Sequence, residues 1–511
     1  MTSFGMTSFG MTLLRSGLLE PPSPRAVFRL LRSVSLPANP RALVAIAAAR
    51  WPNRTAVVDD AGAISYAELL ERTDSLAAQL VHDHGVGPGT SVGVLCRNGR
   101  GFIQAVLAIA ATGADTVLLN TDFKADALSA SLTSHRIGLV VADSEFTTLG
   151  VTTIAPEPTE RRNRPPTRRP GRIVVLTSGT TGTPKGVPRT PQVVEMVGVA
   201  ASILDRTRLR AGSRVAIAVP FFHAFGLAIV VLTLGLGGTI LTRRKFDAET
   251  ALAQASLHRA DALAVVPIML SRILDLPERV RERNPVRSLR LVVSGAAPLD
   301  PTLAMRFMDA FGDILCNGYG SSEVGIGAFA TPADLRRSPA TVGRPVAGSP
   351  VRILDDADEP VPTGTIGRIF VGGKLQFEGY TNGATKATVA NLTSTGDMGY
   401  LDEHGCLFVV GREDDMIVSG GENVYPSAVE NALARHPGVA DNAVVGVPDD
   451  AFGQRLAAFV VGRPDVGLDL GELRDYLKAR VSRFEQPRDI HLVGEIPRNP
   501  AGKVLRRTLT A

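Results

Sequence analysis

The sequence predicts an α/β protein built as a large N-terminal α/β domain of several subdomains followed by a small C-terminal α+β domain. Three observations carry this. The chain has 511 residues, too many for one hydrophobic core. From about Pro40, short β-branched runs alternate with stretches of helical spacing, the pattern of a parallel sheet covered by helices. At Gly411–Pro426 the character changes, from charges to glycines to a fresh helix, which marks a domain boundary.

The elements follow in order. Residues 1–35 read as a tail. The tandem repeat MTSFGMTSFGMT is expected to be disordered, and Pro24–Val34 sets Val27, Leu30, Leu31 and Val34 on one face. That face fits a weak membrane-surface helix or an amphipathic helix packed on the body. Strand-like TAVVDD leads to helical spacing over Tyr66–Leu80, with strands at Ser91–Cys96 and Gly138–Asp143. The uncharged stretch Ala224–Leu241 holds four glycines and reads as a buried helix running into a buried strand rather than a membrane span. The large domain is expected over 36–411 and the small one over 416–511. Within the small domain the pattern predicts helices at 427–436 and 470–483, with strands at 441–447, 456–461 and 489–493.

Composition narrows the function classes. Net charge is +5 and the pI about 9.3, but aromatics are only 5% and most Arg residues are scattered, so no nucleic-acid module is visible. The basic run at 156–172 reads as a solvated loop. Anionic small molecules or a membrane surface fit the charge better. Cys96, Cys316 and Cys406 lie far apart without a CxxC pair, which points away from a metal site or disulfide framework and toward a reducing cytosol. The expected location is cytoplasmic, with peripheral attachment at the inner membrane face left open by the tail.

The chemistry begins at TSGTTGTPKG, Thr177 to Gly186. A β-branched strand runs straight into it. Gly179, Gly182 and Gly186 let backbone approach a ligand. The hydroxyls of Thr177, Ser178, Thr180 and Thr181 and the free N–H groups can donate to phosphate oxygens, and Lys185 adds a point charge. The loop is a phosphate cradle, yet it is not the GxxxxGK[ST] P-loop.

With this loop the sequence resembles the adenylate-forming superfamily of AMP-binding enzymes, which includes acyl-CoA synthetases, luciferases and peptide-synthetase adenylation domains. Further motifs in the family's order carry the likeness from about Pro40 to Arg506: PFFHAFG (220–226), SGAAPL (294–299), NGYGSSE (317–323), STGDMGY (394–400), GRED (411–414) and IPRNPAGKVLR (496–506). The resemblance implies ATP, Mg²⁺ and coenzyme A as cofactors, and residue roles follow motif by motif. Thr177, Ser178, Gly179, Thr180, Thr181, Gly182 and Lys185 would hold the pyrophosphate end of ATP. Gly295, Ala296, Asn317, Tyr319, Gly320 and Ser322 would hold adenine and its surroundings, Ser322 standing where Thr is usual. Asp397 and Arg412 would take the ribose. Glu323 and Thr181 would ligate Mg²⁺. Lys503, His223 and Glu323 would be catalytic, with Lys503 bridging the carboxylate and the α-phosphate. Phe222, Gly318, Gly325 and Gly327 would form the acyl pocket, and Asp414, within 412–415, the hinge about which the mobile small domain turns.

Within the family the chain looks most like bacterial fatty-acid–CoA ligases of medium or long acyl specificity. His223 disfavours amino acids, and the apolar PFFHAFGLAIVV segment favours an apolar acid. An aryl acid and a separate acyl carrier protein as acceptor stay open. One departure bears on coenzyme A: the segment RFEQP carries Glu485 where relatives often have Lys.

Overall fold

The structure is a computed structural model that describes residues 15–17, 39–146, 150–161, 170–177, 184–190, 193–419, 422–449, 453–464, 466–499 and 502–509. The alternation read from the sequence resolves into two sheets with parallel centres. The six-stranded sheet runs Thr152–Ile154, Leu139–Ala142, Ser91–Leu95, Asp115–Leu118, Ile173–Thr177, Lys185–Arg189, with only the last pair antiparallel. The nine-stranded sheet runs Arg344–Pro345, Gly325–Ala330, Leu315–Ser321, Leu291–Gly295, Ala262–Val265, Arg214–Ile217, Thr239–Leu241, Thr55–Asp59, Gly62–Ser65. Its middle is parallel and both ends turn antiparallel.

The central strands are continuous apolar runs because helices cover both faces. Helix Tyr66–His84 starts at a capping box, Ser65 with Glu68, and stops at Gly85 in the left-handed conformation at φ 65°. Helix Arg100–Thr112 is buried along nearly its whole length, so it carries apolar residues all round rather than on one stripe. Ala224–Gly235 is a helix leading into the buried strand Thr239–Leu241, as expected, but of the helix only Gly226, Val230, Thr233 and Leu234 are buried. No helix among the described residues is long and apolar enough to cross a membrane. The three cysteines are free and buried. Of the first 35 residues only Arg15–Gly17 are described, and there the Ser16 carbonyl accepts the Ala211 N–H at 2.7 Å. The membrane-surface reading of Pro24–Val34 and residues 162–169 of the basic run fall outside the described residues.

A third, antiparallel sheet, not foreseen from the sequence, joins Val351–Leu354, Gly367–Gly372, Leu392–Leu401, Thr388–Val389 and Leu407–Arg412. The chain then enters the small α+β unit. Its helices are Pro426–Ala434 and Leu470–Lys478, and its long hairpin pairs Val439–Asp449 with Gly453–Gly462. Asp489–Leu492 adds a parallel strand. Helix Leu470–Lys478 ends five residues earlier than the periodicity predicts. Beyond it, the Glu485 carboxylate accepts the Ser482 N–H at 2.8 Å, which closes a local turn that competes with further helix.

One buried ion pair pins the start of the large domain. Asp59 accepts the Arg100 backbone N–H at 2.8 Å and its guanidinium at 2.6 Å, and both side chains are almost fully buried. Removing one partner strands the other's charge in the core. Asp59→Ala is therefore expected to cost about 3–5 kcal/mol of unfolding free energy, read from denaturant midpoints at unchanged slope.

Candidate active site

The C-terminal ends of the nine-stranded sheet, the third sheet and the small unit enclose one large cavity of about 1730 Å³. Parallel strands deliver loops to the same edge, the usual place for a ligand in an open α/β sheet. Strand Leu291–Gly295 ends in the turn SGAAPL, where Ala296 is held at φ 65°, a strained conformation for a residue with a Cβ. Gly295 itself is closely packed: a Cβ would lie 3.2 Å from the Gly318 carbonyl and 3.4 Å from the Phe225 ring.

Strand Leu315–Ser321 carries Asn317, Gly318, Tyr319 and Gly320 to the cavity wall. Gly320 has no space for a side chain, since a Cβ would sit 1.9 Å from the Gly325 carbonyl. The Tyr319 hydroxyl donates to Asp397 Oδ2 at 2.6 Å, and Arg412 Nη1 donates to Asp397 Oδ1 at 2.9 Å. Strand register explains the second contact, because Asp397 and Arg412 sit directly opposite in an antiparallel pair. Burial, with the Asp397 charge beside it, holds the Tyr319 hydroxyl well above the usual phenol range, so it stays protonated and donates. Asn317 Oδ1 is buried without a partner and faces the same cavity. A buried orphan acceptor fits the exocyclic amine of an adenine base.

Glu323 lines the cavity, and its Oε1 accepts the Tyr380 hydroxyl at 2.7 Å. The Tyr380 ring in turn lies 5.4 Å from Lys185 Nζ. One carboxylate suits Mg²⁺, which takes few protein ligands and keeps waters and substrate phosphates. Among the described residues no group of three or more His, Cys, Asp or Glu side chains could hold a metal by itself. Ser178, Gly179, Thr180, Thr181 and Gly182 lie outside the described residues, and with them most of the cradle and the second expected Mg²⁺ ligand. The two ends of the loop, Thr177 and Lys185, pair across the antiparallel strands and both line the cavity.

His223 precedes helix Ala224–Gly235 without capping it. Its Nε2 is buried and unpartnered, and the ring borders the cavity. Burial pushes its pKa down to about 4, so the ring is a neutral imidazole at neutral pH. The turn that presents it is fixed by Asn98, whose amide donates to the Val219 carbonyl at 2.9 Å and accepts the Phe221 N–H at 2.8 Å. Nothing in the sequence around Asn98 signals that role, since the partners are more than a hundred residues away.

Two expected pocket residues are placed elsewhere. Phe222 is buried in the core, where its ring packs on His223 at 4.6 Å between centroids, and it does not reach the cavity. A Cβ on Gly327 would meet Val371 at 3.2 Å and Tyr319 at 3.5 Å, so this glycine serves the contact between two sheets rather than a cavity wall. Gly318 and Gly325 do line the cavity.

The small unit supplies Lys503. Its turn is closed by Asn499, which accepts the Lys503 N–H through its side chain at 2.9 Å and donates its own N–H to the Lys503 carbonyl at 2.8 Å. Arg498 clamps the turn from outside, on Asp441 at 2.6 Å and on the Gly502 carbonyl at 2.9 Å. Gly502, at φ 78°, seats the turn on the large domain, where a Cβ would be 3.2 Å from Ile268 and 3.3 Å from Val266. Asp414 is largely exposed and 3.8 Å from Arg412. Sequence reading missed Tyr380, Arg498 and Asn98, although Arg498 stands inside a quoted motif.

Fold and cavity together are those of an enzyme with a large α/β body and a small C-terminal unit. The chain belongs to the family of AMP-binding enzymes: residues 44–381 match the AMP-binding enzyme family and residues 428–503 its C-terminal domain. Among curated proteins it is similar to the 2-succinylbenzoate–CoA ligase of Bacillus thuringiensis subsp. konkukian, 32% identical over 472 residues covering 90% of this chain and 95% of that one. It is likewise 32% identical over 473 residues to the feruloyl-CoA synthase of Amycolatopsis sp, covering 89% and 95%. Among solved structures it is similar to o-succinylbenzoate CoA synthetase from Bacillus subtilis in complex with its acyl-adenylate intermediate, with TM-score 0.82, 27% identity and coverage of 92% and 98%.

The neutral state of His223 sets a pH dependence. Its folded pKa is depressed to about 4 from 6.5, so the unfolded chain takes a proton that the folded one refuses. The His223 contribution is constant above about pH 6.5 and destabilises progressively as pH falls toward 4. The stability difference between wild type and His223→Gln is expected to change over that window and stay flat from pH 7 to 8, measured by chemical denaturation.

Proposed function

We propose that the chain is an AMP-forming acid–thiol ligase that activates an apolar aryl carboxylic acid with ATP and passes the acyl group to coenzyme A. The observation that carries it is the convergence on one cavity of Lys185, Glu323, the Asp397–Arg412 pair and Lys503. The acid's carboxylate oxygen attacks the α-phosphorus. A new P–O bond forms, the α–β bridge bond breaks and pyrophosphate leaves. Two anions must meet, so the protein's task is alignment and charge neutralisation. Lys185 and the cradle hold the departing pyrophosphate, Asp397 and Arg412 hold the ribose, and the neutral His223 donates to the carboxylate of the acid. Mg²⁺ held at Glu323, with Thr181, would neutralise phosphate charge. The thiol then attacks the acyl carbonyl and AMP leaves. Residues 412–415, with Asp414 as pivot, are the hinge that turns the 416–511 unit between the two steps.

The aryl reading is supported by the names of the relatives, which act on 2-succinylbenzoate and ferulate. The same names support coenzyme A over an acyl carrier protein. A linear fatty acid is the second reading, and one feature favours it. Val199, Ile203, Leu204, Phe225, Ile229 and Leu232, from helices Val193–Thr207 and Ala224–Gly235, make a long apolar wall. Pyrophosphate release over benzoates, hydroxycinnamates and linear acids of graded length, with and without coenzyme A, tests both. Aryl acids are expected to exceed linear ones in kcat/KM by about tenfold or more, the scale of a well-fitted apolar pocket. A linear acid turned over faster than every aryl acid would overturn the aryl reading.

Lys503→Ala is expected to lower adenylation by about 10²–10³, the typical worth of one charge-stabilising donor. Thioester formation from supplied acyl-adenylate should change little. Undiminished pyrophosphate exchange in this variant would remove Lys503 from the first step.

A further inference from the structure

Lys185 and Arg189 stand four residues apart on one strand, so both side chains leave the same face, and both line the cavity. The other face of that strand packs elsewhere: a Cβ on Gly186 would fall 2.4 Å from His135 Nε2. Lys185 lies at the phosphate cradle. Arg189 reaches across to the turn after Leu315–Ser321, where its Nη2 donates to the Ser322 carbonyl at 2.7 Å. Its Nε is buried and has no partner.

Among the described residues Arg189 forms no ion pair. The charge that bears on it is Glu323, whose Oε1 accepts the Tyr380 hydroxyl. Burial lowers the Arg189 pKa only to about 10, so the guanidinium keeps its charge at neutral pH. A desolvated cation with an unmade hydrogen bond is destabilising unless an anion completes it. The guanidinium has five donors in a planar fork; with Nη2 engaged, Nε–H stands ready for an oxyanion in the geometry Arg favours.

We propose that Arg189 is an oxyanion-binding residue of this cavity, a second cation beside Lys185 that takes a phosphate oxygen of the nucleotide or a carboxylate oxygen of the acid. The inference rests on reading the cavity as an ATP and acid site. Its neighbours Ser322 and Glu323 sit where that reading places the reacting anions.

Calorimetric binding to the full chain separates the two sources. Wild type, Arg189→Lys and Arg189→Met are titrated with ATP and Mg²⁺, with adenosine, and with the acid turned over fastest in the screen above. A phosphate partner is expected to show as a loss of about tenfold or more in ATP affinity in Arg189→Met, the worth of one charge-assisted hydrogen bond, with adenosine unchanged. A carboxylate partner shows as the same loss for the acid alone. Arg189→Lys should fall between, because it keeps the charge and loses the fork. Binding of ATP and acid within twofold of wild type in Arg189→Met overturns the proposal. So does an equal loss for adenosine, which would make Arg189 only a prop for the Ser322 turn. If wild type binds no ATP, the reading of the site falls first and this inference with it.

Discussion

The Asp397 carboxylate is the joint on which the site depends. One of its oxygens accepts the Tyr319 hydroxyl from the nine-stranded sheet and the other accepts Arg412 from the last strand of the third sheet. Arg412 also donates to the Thr395 carbonyl, which stiffens the same strand. Three segments are thereby fixed to one another at the cavity edge, and the chain leaves Arg412 directly for the small unit. The two hydrogen bonds are charge-assisted and partly buried, where such bonds are short and strong. A displacement of Asp397 would move Arg412, the Tyr319 ring and the start of the small unit together.

Around that joint the cavity combines charged and apolar linings. Cations from three elements, Lys185 and Arg189 on one strand, Arg412 and Lys503, line it together with the apolar wall of helices Val193–Thr207 and Ala224–Gly235. The one histidine on the boundary is kept neutral by burial, so it contributes a dipole rather than another charge. Glycine supplies the close approaches that this needs. At Gly320 two strands nearly touch, and at Gly502 the turn of the small unit lies against Val266 and Ile268 of the large domain.

Much of this was legible in the residues. Helical spacing over Tyr66–Leu80 and the β-branched run Ser91–Cys96 foretold the helix Tyr66–His84, which runs on to its cap at Gly85, and the strand Ser91–Leu95, because local propensity and burial agree there. The Asp397–Arg412 pair stood out because both residues belong to recognisable motifs. Phe222 and Gly327 were misplaced because each packs on protein: Phe222, in the turn before helix Ala224–Gly235, on the His223 ring, and Gly327 against Val371 and Tyr319. Asn98 and Tyr380 were invisible, since each acts on a residue far away in sequence.

The sequence by itself determined the α/β class, the family and its adenylate-forming chemistry, and the identity of the charged groups. The class is written in local periodicity, and the chemistry in short motifs that resemble those of the adenylate-forming family. Tertiary structure alone decided which of those groups share a cavity and which donors remain unspent. Pairing Tyr319 with Asp397, seating Gly502 on Val266, and leaving Arg189 buried with an open N–H all depend on contacts between distant segments. Such contacts are fixed by packing the sheets and the small unit together, and no local pattern encodes them.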